Sequence, residues 1–318
     1  MAAPATPEGV LVVDKPGGLT SHDVVAVARR VLRERRIGHT GTLDPMATGV
    51  LPLAVGRATR LVRFLTSSHK TYEAGIRFGI VTDTGDITGQ VVRESAERPT
   101  HEALLAALDS LRGPQMQVPP AYSAKKIEGR RAYELARKQE PVTLQPVPVT
   151  VSALELLGTS PGPRPDGCAV RLTVSAGFYV RSFAVDLGER LGCGACLDSL
   201  RRTGSGSFTL DDAVTLEALQ ASQPGEGAVH LVPLEQLLPE MPAGQLTDEG
   251  RRRLGHGQPL RAGDLRPMDG RPVPAPAPPP AAPPSGEYWV RLFDATGGLA
   301  GLAILNPDGS LRPRIVLT

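Results

Sequence analysis

Between Gly38 and Leu51 the chain reads GHTGTLDPMATGVL, and this stretch limits the possible folds more than any other. Glycines at 38, 41 and 49 permit backbone conformations closed to other residues and let a neighbouring stretch of chain come close. Pro45 disfavours the α region for Asp44 and holds it extended. The one carboxylate of the stretch is thus fixed in a glycine-bounded loop, just after the basic run Arg33-Glu34-Arg35-Arg36. A carboxylate held this way beside positive charge suits a nucleophile or a base. The same Asp-Pro and Thr-Gly pairs also mark ordinary surface turns, so residue types alone leave both readings open.

Periodicity supplies the surroundings. Gly9–Val13 is a short apolar run that reads as a buried strand, broken by the turn residues 14–18. Ser21 is placed to cap a helix whose apolar face is Val24, Val25, Ala28, Val31 and Leu32, with His22 at its surface. A helix is expected over Ala58–Leu65. From Lys70 to Ile80 the pattern alternates, with Tyr72, Ala74, Ile76, Phe78 and Ile80 on one face and Glu73 and Arg77 on the other. Thr100 can cap a helix carrying Leu104, Leu105, Leu108 and Leu111. A further helix is expected from Gly129, containing Tyr133, Leu135 and Ala136. Val170, Leu172 and Val174 alternate in another half-buried strand that leads into a helix through Asp186, Leu187 and Leu191. A helix is expected near Thr215–Ala221, and a new unit begins near Leu246. That unit ends in short strands over Tyr288–Phe293 and Leu299–Leu305.

The chain of 318 residues, 41% hydrophobic and 21% charged, is long enough for a sizeable core. No apolar run is long enough for a bilayer and Met1–Glu8 has no signal-peptide pattern, so no membrane association is expected. Three cysteines, an odd number, argue against a disulfide framework and for a reducing cytoplasm. Cys193 and Cys196 form a Cys-x-x-Cys, which is half of a structural zinc site, and Cys168 is not spaced as a third ligand. They read as buried thiols, and no metal site is expected.

A net charge of +2 does not announce nucleic acid, but the cations are clustered. Arg29, Arg30, Arg33, Arg35 and Arg36 lead into the glycine-rich loop, and Arg57, Arg60 and Arg63 leave it. Lys125, Lys126, Arg130, Arg131, Arg137 and Lys138 form a second group, with Arg201 and Arg202 beyond. Such strips suit a phosphate backbone, although solvated helix faces look the same.

Four strings carry a resemblance: GHTGTLDPMATGVLPLAVGRATR, KTYEAGIRFG with the TDTGD that follows, GFYVR, and LDSLRRTG. Together they resemble the pseudouridine synthases, in particular the branch of bacterial tRNA pseudouridine synthase B, which isomerises the T-loop uridine of tRNA. The resemblance implies an α+β fold. A catalytic domain over 1–238, built on a mixed, largely antiparallel sheet, would include a tRNA-gripping insertion at 82–170. A small β-rich PUA-type RNA-binding domain would occupy 239–318. Residues 272–284 are mostly Pro and Ala, cannot pair in a central strand, and depart from the family's usual length.

The resemblance also implies roles. Asp44 would be the nucleophile or the group that drives glycosidic cleavage, with Arg181 holding it charged and aimed. Tyr72 would stack on the uracil and assist removal of the C5 proton. His39 would hold the flipped nucleotide or fill the space it leaves, while Tyr179 and Leu200 line the base pocket. Lys15 would support the loop. The reaction needs no cofactor or metal. The expected partner is the T arm of tRNA, engaged by a monomer without guide RNA. A tRNA-binding factor without catalysis is the rival reading, although Asp44, Tyr72 and Arg181 are all present. A glycosidase would normally need two carboxylates flanking the bond, and the loop supplies one.

Overall fold

Gly9–Lys15 (β1) is buried on both faces because packed layers cover both sides of the large sheet it belongs to. In a computed structural model, which describes residues 7–66, 69–123, 125–127, 130–131, 144–162, 165–222, 230–268 and 287–317, it pairs with Thr48–Val55 (β3) along its whole length. Alternate residues face different layers. Leu11 and Val13 join the core that takes in Val24, Ala28, Leu104 and Phe183. Val10 and Val12 join a second core with Phe293, Leu302 and Ile315. A continuous apolar run is what a strand buried on both sides requires.

The other strands follow the same logic. Ile37–His39 (β2) pairs beside β3. Lys70–Phe78 (β4) buries Tyr72, Ala74, Ile76 and Phe78. Ile80 does not continue that face: Gly79, at φ +79°, turns the chain out of β4, and Ile80 starts the hairpin of Ile80–Thr82 (β5) and Val91–Glu94 (β6). The sheet continues with Gly113–Gln117 (β7), Val147–Thr159 (β10) and Gly167–Val174 (β11), past the short hairpin Lys126–Ile127 (β8) and Arg130–Arg131 (β9). Ala195–Ser205 (β12) lies between β3 and β4 and also pairs with Phe208–Thr209 (β13), Val214–Thr215 (β14) closes the edge beyond β1, and Leu231–Val232 (β15) pairs with β1 as well. The order β14-β1-β3-β12-β4-β11-β10-β7 contains two parallel contacts, β1 with β14 and β3 with β12. The remaining pairings are antiparallel, so the sheet is mixed and largely antiparallel.

Helices Ser21–Leu32 (α1), His101–Ser110 (α3) and Val180–Arg190 (α4) pack on the first core face, and Thr100 caps α3 as expected. Three sequence expectations need correction. The cap of α1 is Thr20, not Ser21. Thr20 Oγ1 accepts from the Asp23 N–H at 3.2 Å while an Asp23 carboxylate oxygen accepts from the Thr20 N–H at 2.8 Å, a reciprocal capping box. Residues 56–61 form a 3₁₀ turn before the short helix Val62–Thr66 (α2), where Gly56 at φ +62° precludes a regular start. Helix α4 stops at Arg190, one residue before Leu191.

Leu216–Ala221 (α5) is capped by Thr215. The C-terminal strands form a separate five-stranded sheet: Ala243–Leu246 (β16), Leu265–Arg266 (β17), Tyr288–Phe293 (β18), Leu299–Leu305 (β19) and Leu311–Val316 (β20), in the order β17-β16-β18-β19-β20. Asp248–Gly255 (α6) packs on it, and the sheet closes over the second core face of the large sheet. Arg63 lies over the Trp289 ring at 4.4 Å, and Phe64 meets the same ring edge-on at 4.9 Å. The helix expected from Gly129, the cations Arg137 and Lys138, and the segment 272–284 fall outside the described residues. No described helix is long and apolar enough to cross a membrane.

Candidate active site

The glycine-rich stretch becomes the loop between β2 and β3, and nearly every backbone group around Asp44 is tied to something buried. Ser21, released from capping, serves Leu43 twice: its Oγ accepts from the Leu43 N–H at 2.9 Å and donates to the Leu43 carbonyl at 3.1 Å. The Pro45 carbonyl accepts from the Gly18 N–H at 2.8 Å and from Lys15 Nζ at 3.3 Å. Lys15 also donates to the carbonyls of Pro16 and Leu19. Its ammonium is fully buried, and burial brings its pKa down to about 8, with Asp44 opposing that fall and Arg202 adding to it. The supporting role expected of Lys15 is therefore a backbone clamp on the turn after Asp44.

On the other side of Asp44, Arg202 from β12 donates to the carbonyls of Gly41 at 3.2 Å, Thr42 at 3.5 Å and Val50 at 2.7 Å. Arg202 is 1% exposed. It does not belong to the cationic surface strip the sequence suggested. Gly49 is required here, since at φ +99° a Cβ would stand 2.1 Å from the Arg202 carbonyl oxygen.

These ties leave the Asp44 side chain facing Arg181. Arg181 Nε lies 2.9 Å from Oδ2 and Nη2 donates to Oδ1 at 3.3 Å. The guanidinium is held in turn by the carbonyls of Thr84 at 3.0 Å and Tyr122 at 2.8 Å. A second carboxylate, Asp86, stands 3.8 Å from its Nε and is itself fixed by Thr84 and Thr88. The arginine is buried and the aspartate half-buried, so the pair opens to solvent on the Asp44 side. A planar, permanently charged fork of this kind aims a carboxylate where an ammonium would only neutralise it.

Tyr179 occupies the residue before α4, with its backbone clamped by Gln117: its N–H donates to Oε1 at 2.8 Å and its carbonyl accepts from Nε2 at 3.0 Å. Burial pushes its phenol pKa up, with Arg181 opposing and Asp44 reinforcing the shift, so this side chain shares the field of the ion pair. Tyr72 and Leu200 sit on adjacent strands, each 8% exposed. Tyr72 pairs with Arg202 and Ala74 with Leu200, which makes Tyr72 and Leu200 diagonal neighbours on one sheet face. His39, half-buried on β2, meets His22 edge-on with ring centroids 5.6 Å apart.

The structure thus joins Asp44 with Arg181 and sets Tyr72 beside Leu200, while His39 lies beside His22. Asp86, Gln117 and Ser21 are additions. Asp86 stood in the TDTGD string, and its turn-forming neighbours were the one available signal. Several of the clustered cations have partners within the protein: Arg29 binds the Ile37 carbonyl, Arg57 pairs with Glu8 and Arg201 grips Asp14 with two nitrogens. Arg30, Arg33, Arg35, Arg36, Arg60 and Arg63 are exposed, and of these Arg36 also pairs with Glu34, Arg60 donates to the Val316 carbonyl and Arg63 lies over Trp289. All three cysteines are free and buried. Among the described residues no group of three or more His, Cys, Asp or Glu is placed to hold a metal.

Over 314 residues the chain is 43% identical to the tRNA pseudouridine synthase B of Solibacter usitatus, covering 98% of this chain and all of that protein. The chain belongs to the TruB family of pseudouridine synthases. The enzyme of the same name from Burkholderia mallei is 42% identical over 312 residues, covering 98% of this chain and 97% of the relative. That from Ralstonia nicotianae is 45% identical over 252 residues, 79% and 80% of the two chains. Residues 29–180 match the TruB family pseudouridylate synthase N-terminal domain, 181–239 the tRNA pseudouridylate synthase B C-terminal domain, and 242–317 the pseudouridine synthase II TruB C-terminal region. Among solved structures, a chain of an H/ACA ribonucleoprotein bound to a substrate RNA containing 2′-deoxyuridine aligns with a TM-score of 0.65 at 22% identity. That match covers 98% of this chain and 86% of the other. A chain of an archaeal box H/ACA complex aligns at 0.64 with 24% identity, covering 98% and 87%. These two show a shared fold. This TruB-family chain is a pseudouridine synthase with the family's α+β architecture.

Proposed function

We propose that this pseudouridine synthase acts on the T loop of tRNA, at uridine 55, with Asp44 as the group that drives the reaction. The observation that carries the reading is the Asp44–Arg181 pair, two-pronged, buried on the arginine side and open on the aspartate side. An ionised carboxylate held in a fixed orientation suits attack on the substrate or promotion of cleavage. The reaction breaks the N1–C1′ bond, turns the uracil, joins C1′ to C5 and moves the C5 proton off the base. Product and substrate are isomers, so no redox group or cosubstrate is called for.

The other residues take roles consistent with their places. Tyr72 offers an aromatic face to the uracil and a hydroxyl for the C5 proton, and Leu200 and Tyr179 line the base pocket. His39 engages the flipped nucleotide or its vacated space. Flipping is needed because the bonds to be exchanged lie inside a folded loop. In this reading residues 1–238 form the catalytic domain, with 82–170 gripping the T arm, and 239–318 form a PUA-like RNA-binding domain. The protein works as a monomer in the cytoplasm, without guide RNA.

The test is to incubate the protein with an unmodified tRNA transcript and map pseudouridine along it, beside a transcript whose T-loop uridine is replaced by cytidine. Pseudouridine at the T-loop position in the first and none in the second supports the reading. Tight binding of both transcripts with no pseudouridine in either would favour a tRNA-binding factor without catalysis.

A further inference from the structure

Arg202 occupies a place that neither its residue type nor the chemistry above accounts for. A fully buried guanidinium normally needs a carboxylate, because an uncompensated buried charge is costly. Among the described residues none lies within ion-pair distance of Arg202. Its partners are carbonyls: Val50 on β3, and Gly41 and Thr42 on the loop, three and two residues before Asp44. Its backbone lies between the two other parts of the site, paired in parallel with Gly49 on β3 and antiparallel with Tyr72 on β4. Lys15 and Lys70 are buried cations nearby; burial, with Arg202 adding to it, brings the pKa of each down to about 8. A fold seeking stability alone would place an apolar side chain here.

We propose that Arg202 is a positioning residue for pseudouridine formation, fixing the Asp44 loop relative to the strand that carries Tyr72. Asp44 hangs between two anchors. Behind it the Pro45 carbonyl is held by Lys15 and Gly18. Ahead of it the Gly41 and Thr42 carbonyls are held by Arg202. The same arginine, through its backbone, sets the register of Tyr72. The rigid, planar guanidinium spreads its donors from Val50 on β3 to Gly41 and Thr42 on the loop; a lysine ammonium, a compact donor on a flexible stem, does not reproduce that spread. The proposal rests on the reading of Asp44 as the reacting group.

Arg202→Lys and Arg202→Ala are to be assayed in single turnover on unmodified tRNA, with tRNA affinity measured separately and folding checked by urea unfolding. A displaced carboxylate should lower the rate constant of folded Arg202→Lys by about 100-fold while tRNA affinity stays unchanged. Guanidinium ion at concentrations that do not unfold the protein should restore activity to Arg202→Ala, where potassium ion does not. Folded Arg202→Lys with the wild-type rate constant would overturn the proposal, as would a loss that appears wholly in tRNA affinity. Should Arg202→Ala fail to fold, Arg202→Lys still decides the matter. Asp44→Asn, run beside them, tests the underlying reading separately: activity that survives there removes Asp44 as the reacting group, whatever Arg202→Lys does.

Discussion

Arg181 and Asp44 meet through two nitrogens and two oxygens, at 2.9 Å and 3.3 Å, although they lie 137 residues apart in the chain. The arginine has three further obligations, to the carbonyls of Thr84 and Tyr122 and to the Asp86 carboxylate. Its orientation is therefore set before any substrate arrives. Arg181→Lys keeps the charge and loses the fork. The rate constant for pseudouridine formation should fall by about 10² to 10³, the range for removing one preorganised donor, with tRNA affinity little changed. Single-turnover kinetics with a parallel binding assay checks this.

Gly49→Ala tests the close approach of β3 and β12. The new methyl would meet the Arg202 carbonyl oxygen at 2.1 Å, in a backbone region that L residues rarely adopt. Strain and overpacking together should cost about 3 kcal/mol or more. The urea midpoint should drop sharply, or the variant should fail to accumulate folded. A midpoint equal to wild type would contradict the register described for these strands.

Lys70 is buried, and burial brings its pKa down to about 8 from 10.5, with Arg202 contributing. Below the folded value both states are protonated and the folded protein bears the full cost of the buried charge. As pH rises from about 8 toward 10.5 the unfolded chain keeps the proton that the folded one gives up, so this residue's contribution to stability increases. Wild type should therefore gain stability relative to Lys70→Met across that window. Urea unfolding of both proteins at a series of pH values measures the difference and cancels the other titrating groups they share.

The three cysteines titrate in the opposite sense. Burial pushes Cys168 up to about 12 and Cys196 up to about 11, and raises Cys193 as well. A buried, protonated thiol is a poor nucleophile. A thiol reagent near neutral pH should label none of them in the folded protein and all three after denaturation. Rapid labelling of Cys193 or Cys196 in the folded state would contradict the placement of both.

Elements with a strong internal period were legible from the chain alone. Tyr72 to Phe78 alternates cleanly and forms β4; Tyr288–Phe293 and Leu299–Leu305 become β18 and β19 at those bounds. Local capping was legible to within one residue, Thr20 taking the place of Ser21 because Asp23 sits at the position that completes a capping box with Thr20. The Asp44 loop announced itself through its glycines and Pro45.

Long-range choices were not legible. Residue type says that an arginine is exposed, and only the meeting of β12 with β3 and the Asp44 loop buries Arg202. Ser21 reads as a cap until the fold brings Leu43 to it from 22 residues away. Gln117 carries no motif, yet it fixes the backbone of Tyr179 from 62 residues away. In each case the decisive partner is supplied by topology, and no local pattern encodes it.

The central claim is that Asp44 drives isomerisation of a tRNA uridine. It is tested most directly by tritium release to water from unmodified tRNA labelled at uridine C5, measured for wild type beside Asp44→Asn. Forming the C1′–C5 bond expels the C5 hydrogen, so release reports the chemistry itself and not binding. Wild type should release label from the T-loop uridine, and Asp44→Asn should release none while still binding tRNA. Release that persists in Asp44→Asn would contradict the assignment.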